Sequence, residues 1–212
     1  MTRRGRFIVL EGLDGAGTTT QARLLGERLR AGGRAVHVTA EPSGGPAGAL
    51  LRQILTGRVA GPGGAPVDPG AVALLFAADR LDHVAAEVEP RLAAGSDVVS
   101  DRYVLSSLAY QAVTTGDPAW VAAINRRAPA PDLTVFLRVR PTLALGRRRR
   151  AETTPELYER AALQRRVAAS YERALARLRR AGERVAVLDG ERPVDEVAAA
   201  VAALVATLRP RR

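Results

Sequence analysis

A chain of 212 residues suits one domain with a full core, and 47% hydrophobic with 25% charged residues is the balance expected of a soluble globular protein. Cysteine is absent, which excludes disulfides, thiolate metal sites and thiol catalysis and fits a reducing cytoplasm, the expected location. All 32 basic residues are arginine and the net charge is +10, which points to anionic small substrates. No basic stripe interleaves with aromatics, so nucleic acid is not an expected partner, and no apolar run approaches the roughly 18 residues of a membrane span.

Strand and helix alternate along the chain. The run RFIVLEG (6–12) leads directly into glycines and reads as a buried strand rather than a signal peptide. TTTQARLLGERLRAGG (18–33) has the spacing of an amphipathic helix closed by Gly32 and Gly33. A second strand is expected over 34–42, a short helix within GPAGALLRQILTG, and a loop over 58–70, where Gly and Pro dominate. One long helix is expected over 71–95, strands over 97–103, 132–139 and 183–190, and a closing helix over 194–208. Continuous apolar strands separated by helices predict an α/β fold, a five-stranded parallel sheet covered on both faces.

The stretch EGLDGAGTTTQ (11–21) carries the spacing of a phosphate cradle, with Gly12 and Gly17 in place and Thr19 in the hydroxyl position. Its departure is Thr18, which stands where lysine is expected. Strand, glycine turn and helix is the context in which such a loop aims backbone N–H groups and a helix dipole at phosphate oxygens. Gly12, Leu13, Asp14, Gly15, Ala16, Gly17, Thr18 and Thr19 are therefore the candidate phosphate-binding residues, with Thr19 also able to place its hydroxyl on Mg²⁺. The bland alternative is a glycine turn with no ligand.

Further along, DRYVLSSLAYQ (101–111) resembles the signature of thymidylate kinases. LLFAADRLDHV (74–84), PDLTVFLRVRP (131–141) and GRRRRAETTPELYERAALQRRVAASY (146–171) are similar to that family's substrate-lining helix, fourth strand, and lid with following helix. The resemblance covers essentially the whole chain. It implies a P-loop NTPase fold, one nucleoside monophosphate kinase domain over 1–212 with a helical lid at about 142–157, and a homodimer. It also implies ATP- and Mg²⁺-dependent phosphorylation of thymidine monophosphate.

By the same resemblance Phe76 stacks on the thymine ring and Arg80 hydrogen-bonds a ring carbonyl. Arg102 holds the acceptor phosphate, and Asp101 sits near Mg²⁺. Ser106, Ser107 and Gln111 belong to the substrate site, with Ser107 on the base edge. Tyr110 presses on the sugar against a 2′-hydroxyl, and Asp14 meets the 3′-hydroxyl. On the residues alone, Phe76 and Tyr110 also read as core, and Asp101 with Arg102 as a structural ion pair. His37 and His83 receive no role. Beside Thr18, a second departure is Ala40, where the family usually has arginine before Glu-Pro. The candidate compensators are Arg147 and Arg150, which share a helix face at i,i+3; the alternative is a solvated basic face. Two other readings remain: a catalytically weak nucleotide-binding protein, and a kinase for another nucleoside monophosphate.

Overall fold

The computed structural model describes residues 4–148 and 156–208. Five strands form one parallel sheet: β1 Phe7–Gly12, β2 Val36–Ala40, β3 Asp97–Asp101, β4 Leu133–Arg138 and β5 Val185–Asp189, in the order β2-β3-β1-β4-β5. Every residue of β1 and β3 is buried, and the apolar residues at 7–10 and 98–99 are consecutive rather than alternating because both faces of these central strands are covered. Helices α1 (Thr18–Ala31) and α9 (Val194–Ala206) pack together against the sheet. The helices α5 (Val104–Thr115) and α8 (Glu156–Arg180) form a second packed pair against it. The remaining helices are α2 (Pro46–Leu55), α3 (Pro69–His83), α4 (Glu89–Ala93), α6 (Pro118–Ile124) and α7 (Pro141–Arg148). The expected five-stranded α/β sheet is thus present. The segment expected as a lid, about 142–157, falls partly outside the described residues.

Two expected elements differ. The long helix over 71–95 is interrupted by a π turn at Val84–Val88 that joins α3 to α4. Pro90 has no N–H to donate and its ring crowds the preceding turn, so the helix widens just before it. The strand expected over 97–103 stops at Asp101, because Arg102 takes φ 76, a left-handed conformation that a strand does not accommodate.

Asp68 caps α3 by accepting the Ala71 N–H at 2.9 Å. Asp68→Ala should cost about 0.5–2 kcal/mol, the usual worth of an N-cap side chain. Urea unfolding of the two proteins measures it; an unchanged midpoint would mean that packing alone holds the start of α3.

The sheet order sends the chain left from β1 to β2 and β3, then right to β4 and β5. The direction therefore reverses beside β1, and the crevice at the C-terminal ends of β1 and β3 is where an open parallel sheet binds its ligand. Gly12 closes β1 and Asp101 closes β3, so the two motifs read from the sequence meet at this crevice.

Candidate active site

Gly15 and Gly17 adopt φ 89 and φ 95, which a side chain would make costly. A Cβ on Gly12 would lie 2.8 Å from the Ala16 Cβ and 3.1 Å from the Leu137 carbonyl oxygen, so the loop folds back closely on its own strand. Gly17 caps α1 without any side-chain hydrogen bond, which leaves the first-turn N–H groups for an anion. Leu13 is buried in the apolar core and can offer a ligand only its backbone. Thr18 is buried at the start of α1. The loop borders a cavity of about 520 Å³ into which Arg102, Arg147 and Arg192 also project. A larger groove, about 700 Å³ between α5 and α8, shares no lining residue with it.

At the rim, Thr19 donates its hydroxyl to Asp101 Oδ2, while Asp101 Oδ1 is buried with no hydrogen-bond partner among the described residues. An unpaired carboxylate oxygen beside a threonine hydroxyl, next to a phosphate cradle, fits a Mg²⁺ ion that takes most of its ligands from phosphate and water. No group of three or more acidic, His or Cys side chains able to hold a metal occurs among the described residues.

Arg102 turns out of β3 and crosses toward the cradle. Its guanidinium donates to Asp14 Oδ1 at 2.6 Å, the Gly12 carbonyl at 3.1 Å, Ser106 Oγ at 3.2 Å and Tyr171 Oη at 3.4 Å. Its carbon lies 5.5 Å from the Tyr110 ring centroid. Burial works against its charge, but Tyr171, Tyr110, Asp14 and Glu11 together hold its pKa above the ordinary arginine value. Tyr110 in turn accepts the Asp14 N–H at 2.9 Å, and burial pushes its phenol up to about 12, so it stays neutral. Asp14, Arg102, Ser106 and Tyr110 are thus brought into one contact network.

Beneath them lies Glu11, fully buried. It accepts the Tyr103 N–H at 2.8 Å, the Ser106 N–H at 3.0 Å and the Ser106 hydroxyl at 2.6 Å. Burial pushes its carboxyl up to about 7, against the opposing pull of Ser106 and Arg102.

The second cluster sits between α3 and α5. Arg80 is 1% exposed, and all five of its donors are engaged. Nε and NH2 reach Glu41 Oε2 at 2.9 and 2.6 Å, NH2 also reaches the Tyr103 carbonyl, and NH1 reaches Ser107 Oγ at 3.1 Å and Asn125 Oδ1. A hydrogen bond from Arg80 to a base therefore requires exchange of one of these partners. Phe76, one helical turn earlier, is half-buried and belongs to neither apolar cluster. Gln111 is buried on α5. Ala40 is exposed at the end of β2, paired in register with Asp101.

Arg147 reaches the cavity and donates to the Gly190 carbonyl at 2.9 Å. Arg150 lies outside the described residues. Sequence reasoning missed Glu11, Glu41, Asn125, Tyr171 and Arg192. Glu11 opens the glycine-loop motif and Glu41 follows Ala40, both acids at strand ends; Asn125, Tyr171 and Arg192 reach the site only through tertiary packing. His83, buried, accepts from or donates to Thr39 Oγ1 at 2.9 Å and lies 3.4 Å from Glu41, while His37 pairs with Glu87 at 2.5 Å.

A parallel sheet with a glycine cradle at its switch point, a threonine–aspartate pair at its rim and a half-buried arginine facing them is the arrangement of a P-loop phosphotransferase. The family model for thymidylate kinase matches residues 10–201. A probable thymidylate kinase of Pyrobaculum aerophilum is 41% identical over 94% of this chain and 95% of its own length. One from Pyrobaculum calidifontis is 42% identical over 94% and 95%. A thymidylate kinase of Thermomicrobium roseum is 40% identical over 97% and 96%. The chain belongs to the thymidylate kinase family.

Proposed function

We propose that the protein transfers the γ-phosphoryl group of ATP to thymidine monophosphate. The observation that carries this is the meeting of Arg102 with Asp14 and the cradle at one cavity: an acceptor clamp beside a donor cradle is what an in-line transfer between two phosphates needs. Gly12 to Thr19 bind the ATP phosphates through backbone N–H groups and the α1 dipole. Thr19 and Asp101 hold Mg²⁺, which supplies charge neutralisation on the phosphate oxygens. Arg102 orients the acceptor monophosphate as a planar fork, and Asp14, tied to that fork, stands where the sugar 3′-hydroxyl is expected. Ser107 and Arg80 offer the base edge, Phe76 its stacking face, Tyr110 the sugar contact, and Ser106 and Gln111 line the α5 side.

No helix among the described residues is long and apolar enough to cross a membrane. The reading is completed as a cytoplasmic homodimer. The exposed Leu50, Leu55 and Leu74 on the mutually packed α2 and α3 are the surface we assign to the dimer contact.

The neutral Thr18 supports a second reading, a nucleotide-binding homologue with weak chemistry. A coupled ADP-release assay with Mg²⁺ and a panel of nucleoside monophosphates separates the alternatives. Turnover should be highest with thymidine monophosphate. Clear nucleotide binding without turnover would favour the second reading, and preference for another acceptor would overturn the assigned substrate.

A further inference from the structure

The cradle has no cationic side chain of its own. Thr18 occupies the position of the missing charge, and among the described residues the guanidinium groups at this cavity come from Arg102, Arg147 and Arg192. These three differ in freedom. Arg102 is held among Asp14, Gly12, Ser106 and Tyr171 on the acceptor side. Arg147 donates to the Gly190 carbonyl. Arg192, by contrast, pairs with Glu196 one turn along α9 at 2.7 Å, with side chains 61% and 49% exposed. Exposed i,i+4 pairs are weak, and a phosphate chain carrying several charges outbids a single solvated carboxylate for a guanidinium.

The backbone that carries Arg192 is nevertheless well fixed. Gly190 N–H donates to the Arg138 carbonyl at 2.9 Å, and a Cβ on Gly190 would lie 2.7 Å from Val139 Cγ2, so the loop lies close against β4. Glu191 accepts the Arg140 N–H at 2.7 Å. On the other side, Gln21 of α1 donates to the Val194 carbonyl at 3.0 Å, tying the loop to the cradle helix itself. Arg192 sits between these anchors, a solvent-exposed cation on an anchored loop at the edge of the cavity.

We propose that Arg192 supplies the charge that Thr18 cannot, its guanidinium binding the β- and γ-phosphate oxygens of ATP alongside Arg147. The proposal rests on the phosphotransferase reading above. In the transfer, an oxygen of the acceptor monophosphate forms a bond to the γ-phosphorus. The bond to the β–γ bridging oxygen breaks, and ADP leaves with the electron pair; the arginine keeps its protons and neutralises developing charge.

The test compares Arg192→Ala, Arg192→Lys, Glu196→Gln, and Thr18→Lys with and without Arg192→Ala. Each is assayed for turnover and, by calorimetry, for affinity toward Mg·ATP and Mg·ADP. Arg192→Ala should lower kcat by about 10- to 100-fold, less than the loss of a fully preorganised donor because Arg147 remains. ATP affinity should fall more than ADP affinity, with the KM for thymidine monophosphate and the Tm unchanged. Arg192→Lys should keep most of the activity, and Glu196→Gln should match or exceed the parent. Thr18→Lys should raise activity at least about 10-fold in the Arg192→Ala background but under about 3-fold in the parent, the non-additivity of two groups acting on the same oxygens. Equal effects of Thr18→Lys in both backgrounds, equal weakening of ATP and ADP, or a loss in Glu196→Gln matching Arg192→Ala would each overturn the proposal. A parent that turns over no monophosphate would overturn the proposed function, while the ATP-over-ADP comparison would still judge Arg192.

Discussion

Arg102→Ala should lower kcat/KM for the acceptor monophosphate by about 10²–10³-fold with the protein still folded, the loss expected when a preorganised charged donor is removed. The guanidinium is placed by a network in which Asp14, Gly12, Ser106 and Tyr171 each accept from it, so it waits in position and pays no reorganisation when a dianion arrives. Alanine deletes the fork and leaves these acceptors without their donor, at a stability cost of roughly 1–3 kcal/mol. Arg102→Gly is the matched control. It also removes the fork, but it accepts φ 76 without strain, so it should be the more stable of the two variants while being equally inactive. Steady-state kinetics with the acceptor varied, calorimetry with the monophosphate, and thermal unfolding make the comparison. Unchanged monophosphate affinity in folded Arg102→Ala would remove Arg102 from the site.

Glu11 should make the protein lose stability as pH rises from about 4.5 to about 7. Its carboxyl is raised from 4.5 to about 7 chiefly by burial, so the folded chain holds a proton that the unfolded chain has already released in this window. Stability from this group is therefore complete below about pH 4.5 and lost as pH climbs through about 7. At about 1.4 kcal/mol per pKa unit the loss amounts to roughly 3 kcal/mol. Glu11→Gln has no proton to lose. It carries a constant penalty, since its amide nitrogen cannot accept from Ser106 or Tyr103, but the stability difference between parent and variant should shrink by that amount across the window. Unfolding midpoints measured at several pH values check it; curves that run parallel would show that Glu11 is ionised throughout. Because Glu11 holds Ser106 and the Tyr103 backbone beside Arg102, its protonation also bears on the placement of that guanidinium.

The sequence by itself determined the alternation of elements, because strands buried on both faces carry consecutive apolar residues, as 7–10 and 98–99 do within Phe7–Gly12 and Asp97–Asp101, and because amphipathic spacing with terminal glycines marks a helix such as Thr18–Ala31. It also determined the cradle, since left-handed turns at Gly15 and Gly17 require glycine at set spacing. Resemblance in DRYVLSSLAYQ supplied the family. Tertiary structure alone decided which groups meet. The π turn before Pro90 and the end of β3 at Arg102 depend on backbone geometry that periodicity does not encode. Tyr171 reaches Gly12 and Ser106 because α8 packs on α5, and Asn125 reaches Arg80 from α6's end. The same holds for charge. A missing cation at Thr18 is visible in one line of sequence, but Arg147 and Arg192, which border the cavity with Arg102, come from α7 and from the loop after β5, and only the packing of strands and helices brings them beside the cradle. Local sequence sets each segment's own conformation, whereas the contacts that tune a site join segments far apart in the chain, and those are fixed by packing.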